Sequence, residues 1–181
     1  SMIVDIGGGT CDIAVVSLGG IAASKSIKIG GNAFDEAIVN YLKRKHNLLI
    51  GDNTAEDIKI KIGSAKEYDG EAAMDVRGRN LENGLPGSVE LTSSDVRIIL
   101  EDCVESIIIA IKETLEVTLP ELAADIIDRG IYLTGGASKL RGLREVIEEK
   151  IGITVISPEN PEDCVAKGTS IKLKRAANGA K

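Results

Sequence analysis

Asp5 and Asp12 stand at the two ends of a run of three glycines and a threonine, Asp5-Ile-Gly-Gly-Gly-Thr-Cys-Asp12, with β-branched apolar residues on either side. That flanking predicts strand, tight turn and antiparallel strand. An ordinary hairpin turn needs only one or two residues at positive φ. Gly7, Gly8 and Gly9 go beyond that need and leave the backbone bare, so that N–H groups can close around an anion such as a phosphate. Thr10 adds a hydroxyl aimed at the same space. Two carboxylates beside a phosphate repel it unless a cation lies between, and Mg²⁺ uses one or two carboxylates together with phosphate oxygens. The chemistry asked for is a nucleotide–Mg²⁺ site.

The competing reading is a glycine-rich hairpin whose aspartates solvate its ends, and Gly-Gly-Gly alone would favour it. Asp at both ends, and a second glycine pair, Gly135-Gly136, after another apolar strand, favour the nucleotide. Neither run is a Walker A loop, because no Gly-Lys-Ser/Thr follows, and neither completes a dinucleotide G-x-G-x-x-G.

The elements that must position these residues read as follows. After Val16, Gly19-Gly20 makes a turn and 21–29 forms a third strand, completing a meander. A helix follows Gly30-Gly31-Asn32, with Phe34, Ala37, Ile38, Tyr41 and Leu42 on one stripe. Asn32 or the following turn is expected to cap it, with Asp35-Glu36 at its positive end. Asp52-Asn53-Thr54 is expected to cap a second helix carrying Ala55, Ile58, Ile62 and Ala65. Glu56 and Lys59 lie off that stripe, and by themselves are an ordinary solvated i,i+3 pair. Short strands over 73–79 and 88–91 complete a small α+β insertion, roughly 33–92. Thr92-Ser93-Ser94-Asp95 caps the longest helix, whose stripe runs from Val96 to Leu115 and is too wide for a coiled coil. A short helical piece over 121–127 precedes a strand at 130–134. Gly135-Gly136 then turns directly into a helix carrying Leu140, Leu143, Val146 and Ile147, a geometry that lays a ligand against the backbone. A strand over 152–156 and a helix from Asp163 to about Lys174 follow, with Val165, Ala166 and Ile171 inward and a frayed basic tail after it.

With 181 residues the chain fits one domain with an inserted subdomain. Apolar residues make up 43%, but aromatics only 2%, so aliphatic side chains fill the core. Few aromatics and a net charge of −6 argue against nucleic-acid binding, which asks for stacking surfaces and a basic face. Cys11, Cys103 and Cys164 are far apart with no C-x-x-C, which fits reduced thiols in a cytosolic protein rather than zinc. His46, the single histidine, closes a basic helix end. No run approaches the ~18 apolar residues of a membrane span.

The order β-β-β-α, insertion, α-β-α-β-α matches one half of the duplicated fold of actin, sugar kinases and heat-shock chaperone ATPases. Asp5-Ile-Gly-Gly-Gly-Thr-Cys-Asp12 is similar to the second phosphate motif of that superfamily. Leu133-Thr-Gly-Gly-Ala-Ser-Lys-Leu-Arg-Gly-Leu143 resembles its adenosine motif. Thr54-Ala-Glu-Asp-Ile-Lys-Ile-Lys-Ile-Gly-Ser-Ala65, Val76-Arg-Gly-Arg-Asn-Leu81 and Asn83-Gly-Leu-Pro86 resemble the bacterial actin-like MreB/Mbl family more closely than actin or the chaperones. So do Leu122-Ala-Ala-Asp-Ile-Ile-Asp-Arg-Gly-Ile131 and Cys164-Val-Ala-Lys-Gly-Thr169. The resemblance covers essentially the whole chain.

It implies the second domain of an actin-like ATPase: an α/β fold with a ribonuclease H-like mixed sheet flanked by helices, core at 1–32 and 93–181, small α+β subdomain at 33–92. It implies ATP or ADP with Mg²⁺ as cofactors. Asp5 and Asp12 fall around the metal and its waters, and Gly7, Gly8, Gly9 and Thr10 at the β- and γ-phosphates. Glu56 and Lys59 fall beside ribose and adenine, with Gly135 and Gly136 beneath the nucleoside. Cys11, Lys61 and Ala137 depart from the usual Thr, Glu and Gly. Relatives begin with a further domain that carries the first phosphate loop and an acidic residue thought to position the attacking water. This chain alone is therefore expected to bind ATP weakly and hydrolyse it negligibly.

The parent so implied polymerises into double protofilaments at the inner face of the cell membrane and organises cell-wall synthesis and rod shape. Its implied partners are further filament subunits, met through the insertion, a RodZ-like membrane protein and the cell-wall synthesis machinery. The family's membrane-inserting elements lie in the other half, so no direct membrane contact is expected here. The alternative is a lobe of a chaperone-type or sugar-kinase-type ATPase, for which the chain shows neither the larger insertion nor aromatics for a sugar pocket.

Overall fold

The computed structural model describes residues 1–178, with side chains described through Lys172. The meander forms as β1 (Met2–Ile6), β2 (Cys11–Ser17) and β3 (Gly20–Ile27). The remaining elements are α1 (Gly31–His46), β4 (Leu48–Leu49), α2 (Asp52–Ile62), β5 (Ala73–Asn80), β6 (Pro86–Thr92), α3 (Ser93–Glu116), α4 (Pro120–Arg129), β7 (Ile131–Thr134), α5 (Leu143–Ile151), β8 (Val155–Ile156) and α6 (Cys164–Asn178). One mixed sheet runs β3-β2-β1-β7-β8, and a smaller one runs β4-β5-β6. In the larger sheet β2 is antiparallel to β1 and β3, while β7 is parallel to β1 and β8. The smaller sheet is antiparallel throughout.

Side-chain alternation gives the large sheet one dry face: Met2, Val4, Ile6, Cys11, Ile13, Val15, Ile131 and Leu133 are buried. The stripe of α3, with Val96, Leu100, Val104, Ile107 and Ile111, packs across it onto β2 and β3. On the opposite face, the β1–β2 register sets Asp5 directly against Asp12.

Thr92 caps α3 as its sequence predicts, and the cap is a full reciprocal box. The Asp95 N–H donates to Thr92 Oγ1 at 3.2 Å, and Asp95 Oδ2 accepts from the Thr92 N–H at 2.9 Å. The Thr92 side-chain bond, and after it the Thr92 backbone bond, hold the Asp95 carboxyl below the usual carboxylate range. A carboxyl with a depressed folded pKa stabilises above its unfolded value, about 4, and that contribution is lost as pH falls through the folded value. Urea melts at pH 7 and pH 3 are expected to show a smaller acid loss in Asp95→Asn than in the wild type. Equal losses would exclude the box as a source of acid sensitivity.

Several expectations need correction. Neither Asn32 nor Asp52, Asn53 or Thr54 caps a helix: the caps are Gly30 and Gly51, with no side-chain bond. Asp35 and Glu36 lie beyond the first turn of α1. The two-residue strand β4 stands where the sequence predicts no element, and β8 covers only Val155–Ile156 rather than 152–156. Gly135-Gly136 opens a 3-10 turn, Gly136–Lys139, not a long helix, and α5 starts only after Gly142 in the left-handed region. Val165 and Ile171 do not face inward: they are 61% and 52% exposed. Ala166 is exposed as well. The helix runs past Lys174 to Asn178, and the rest of the expected tail, 179–181, lies outside the described residues.

Candidate functional site

The turn between β1 and β2 is held from behind. The first N–H groups of a helix have no partner within the helix. In α1 the N–H of Gly31 donates to Gly7 O at 3.0 Å and that of Asn32 to Gly8 O at 2.8 Å. The Gly7 N–H closes the turn on Thr10 O at 2.9 Å. With its carbonyls drawn back into α1, the turn keeps the Gly8 and Gly9 N–H groups free of any acceptor among the described residues, and both residues are exposed. Free, outward N–H groups on consecutive glycines form an anion-binding concavity.

Beside this turn lies a cleft of about 640 Å³ whose walls come from the turn (Gly7, Gly8), the start of α1, the outer face of α2 (Glu56, Lys59, Ile60) and the Gly136–Arg141 loop. Of the residues singled out in the sequence, the cleft brings together Gly7, Gly8, Glu56, Lys59 and Gly136. Gly9, Thr10, Asp5, Asp12 and Gly135 lie outside its lining. Gly135 is packed behind it, where an added Cβ would stand 2.3 Å from Ile6 O and 2.5 Å from Asp5 Oδ1.

Both aspartates are held by hydroxyls. Thr10 Oγ1 donates to Asp12 Oδ2 at 2.8 Å and Ser26 Oγ to Asp12 Oδ1 at 2.5 Å, while Thr134 Oγ1 donates to Asp5 Oδ1 at 3.2 Å. Cys11, between them in sequence, points to the dry face. Burial, then the charges of Asp12 and Asp5, push its thiol up to about 12, so it takes no part in the site.

Each cation lining the cleft is engaged. Lys59 Nζ donates to Gly31 O at 3.2 Å and to Asp35 Oδ2 at 2.9 Å. Lys139 pairs with Glu162 at 2.5 Å, and the Arg141 guanidinium stacks over the Tyr68 ring at 4.2 Å. Asp52 and Glu56 enter no ion pair among the described residues and are exposed, which leaves carboxylate acceptors on the α2 wall. Ile60, 69% exposed, supplies an apolar surface there, opposite in character to its neighbours. Sequence reasoning missed Asp35, Ile60 and Arg141. The apolar period of α2 marks Ala55, Ile58 and Ile62 and so passes over Ile60, whereas no local spacing links Asp35 to Lys59.

The mixed sheet with its helices, the glycine turn and the inserted smaller sheet define an actin-like α/β domain. The fold is matched by MreB5 of Spiroplasma citri bound to ADP, at a TM-score of 0.95 and 37% identity, over 99% of this chain and 54% of that one. The same protein bound to AMPPNP gives 0.94. A chain of the MamK double helical filament gives 0.74 at 27% identity, over 90% of this chain and 50% of that one. The family model described as MreB/Mbl protein matches residues 1–181. Cell shape-determining protein Mbl of Bacillus subtilis (strain 168) is 48% identical over 173 residues, 96% of this chain and 52% of the relative. Cell shape-determining protein MreB of Escherichia coli (strain K12) is 48% identical over 168 residues, 93% of this chain and 48% of the relative. The chain belongs to the MreB/Mbl family of actin-like cell-shape proteins, and spans about half the length of these relatives.

Proposed function

We propose that the chain supplies one wall of an ATP/ADP site in a polymerising cell-shape protein. The observation that carries this is the pair of free Gly8 and Gly9 N–H groups at the edge of a cleft walled by α2. Phosphates sit on Gly7, Gly8, Gly9 and Thr10. Glu56 accepts from ribose hydroxyls, Ile60 and Lys59 border the base, and Gly136 passes beneath the nucleoside, with Gly135 supporting it from behind. Structures of a relative bound to ADP and to AMPPNP support this reading.

Asp5 and Asp12 fit a magnesium ion held through water. Like charges directly opposite across two strands repel, and a cation relieves that repulsion. Mg²⁺ retains several waters and takes one or two carboxylates together with phosphate oxygens, a donor set whose carboxylates Asp5 and Asp12 can supply. When bound, the ion shields phosphate charge. The chain's own part is to orient its waters through carboxylates fixed by Thr10, Ser26 and Thr134.

On the same reading, the parent forms filaments, as the MamK double helical filament supports, through a subdomain at 33–92 set on a core of 1–32 and 93–181. It acts from the cytoplasmic face of the membrane with a RodZ-like protein and the cell-wall synthesis machinery. None of the described helices is long and apolar enough to cross a membrane.

Isothermal titration of the chain with ADP–Mg²⁺ and ATP–Mg²⁺ tests the site. Weak binding is expected, weaker again in Asp5→Ala, with negligible ATP turnover. No heat from the wild-type chain, or full affinity in Asp5→Ala, would overturn the assignment.

A further inference from the structure

Beyond apolar packing, one polar staple joins α1 to α2, and it is built on the residue that grips the phosphate turn. The Gly31 N–H donates to Gly7 O at 3.0 Å, while the Gly31 carbonyl accepts from Lys59 Nζ at 3.2 Å. One residue of α1 therefore touches the turn on one side and α2 on the other. Asn32 repeats the first contact through Gly8 O at 2.8 Å. The relay has no slack on the turn side: a Cβ at Gly30 would stand 2.5 Å from Gly7 O and 2.8 Å from Gly8 O.

Asp35 fixes the other end. Both its carboxylate oxygens lie 2.9 Å from Lys59 Nζ, and the two side chains are only 16% and 14% exposed. Oδ1 is buried with no directed hydrogen bond, so its charge is answered by the Lys59 ammonium through distance alone. A long lysine on a cleft wall would otherwise swing into solvent. The buried carboxylate holds it down onto Gly31 instead.

We propose that Asp35 is a positioning residue that locks Lys59 onto Gly31, so that an anion on the Gly7–Gly9 turn is sensed by α2. Any shift of the turn carbonyls moves the Gly31 peptide, and the Gly31 carbonyl carries Lys59 and α2 with it. Since α2 packs on β5, the staple couples phosphate occupancy to the smaller sheet. This rests on the turn being the phosphate site.

A purely structural ion pair would also stabilise the fold, so stability alone cannot decide. The probe is inorganic pyrophosphate with Mg²⁺, which carries the phosphate chemistry but has no sugar or base with which to reach α2. Amide nitrogen–proton spectra of the wild-type chain are expected to shift at Gly7–Gly9, at Gly31 and Asn32, and along Ala55–Ile62. In Asp35→Asn, which keeps the shape and removes the charge, the turn still shifts but the α2 changes fall at least threefold. Asp35→Ala is expected to do the same, since the charge and not the amide shape holds Lys59 on Gly31. Wild-type shifts confined to the turn, or α2 shifts undiminished in both folded variants, overturn the coupling and leave the phosphate site standing. A turn that ignores pyrophosphate removes both. If neither variant folds, the wild-type response of α2 decides on its own.

Discussion

Gly135→Ala is expected to lower the thermal midpoint of the chain by about 4–24 °C and to abolish nucleotide binding, whereas Gly136→Ala leaves the midpoint nearly unchanged. Two separate penalties meet at Gly135. Its backbone sits at φ 88° and ψ 157°, a region reserved almost entirely for glycine. The new Cβ would also stand 2.3 Å from Ile6 O and 2.5 Å from Asp5 Oδ1, and a backbone carbonyl cannot step aside as a flexible side chain can. Strain of about 1–3 kcal/mol and overpacking of about 1–3 kcal/mol add to about 2–6 kcal/mol. For a chain of this size each kcal/mol moves the midpoint by about 2–4 °C. The atoms displaced are the end of β1 and the carboxylate of Asp5, which is why binding falls with stability. At Gly136 an added Cβ meets nothing within 4 Å, so it controls for composition and helix propensity. Calorimetric melts of the two variants, followed by ADP–Mg²⁺ titration, decide the matter. Equal midpoints would mean that the glycine pair serves the ligand alone and not the frame.

The contrast between these two glycines also shows what could be read in the sequence. The sequence reads both glycines as lying against a ligand, but only Gly136 lines the cleft, and the place of Gly135 depends on Ile6 and Asp5, which reach it because β7 lies parallel to β1. Local signals carried the rest of the frame in the same selective way. The β1–β2 hairpin follows from period-2 alternation, and the start of α3 from a threonine and an aspartate three residues apart that answer each other's backbone. The start of α1 is satisfied instead by the carbonyls of Gly7 and Gly8, distant partners that leave no capping side chain to recognise. The stripe of α6 has a helical period, yet Val165 and Ile171 on it stay exposed, so periodicity predicted a helix correctly and its burial wrongly. In the site, Gly7 and Gly8 are legible because Asp5 and Asp12 flank the glycine run, which alone would read as a plain hairpin turn. Asp35 is not, because a carboxylate in the second turn of a helix looks solvated until Lys59 arrives from another element.

Phe34→Ala is expected to be the most damaging single truncation in the core, costing about 3–5 kcal/mol, or about 6–20 °C in the midpoint. Phe34 is the single phenylalanine of the chain and is fully buried. It lies on the first turns of α1, the helix that packs on both α2 and α3. Among the described residues the core holds no second fully buried ring to move into the space, so the cavity persists rather than collapsing. An apolar cavity of that kind stays dry and takes up benzene. Benzene should therefore raise the midpoint of Phe34→Ala and leave that of the wild type unchanged. The consequence extends to the site, because Phe34 is adjacent to Asp35 and three residues past Gly31. A loosened first turn of α1 withdraws the N–H groups that hold the Gly7 and Gly8 carbonyls, and the anion-facing N–H groups of the turn lose their fixed direction. Nucleotide affinity should fall with stability in Phe34→Ala and recover partly with benzene. A benzene-rescued midpoint without any recovery of affinity would separate the two, and would place the turn's rigidity in the hairpin itself rather than in α1.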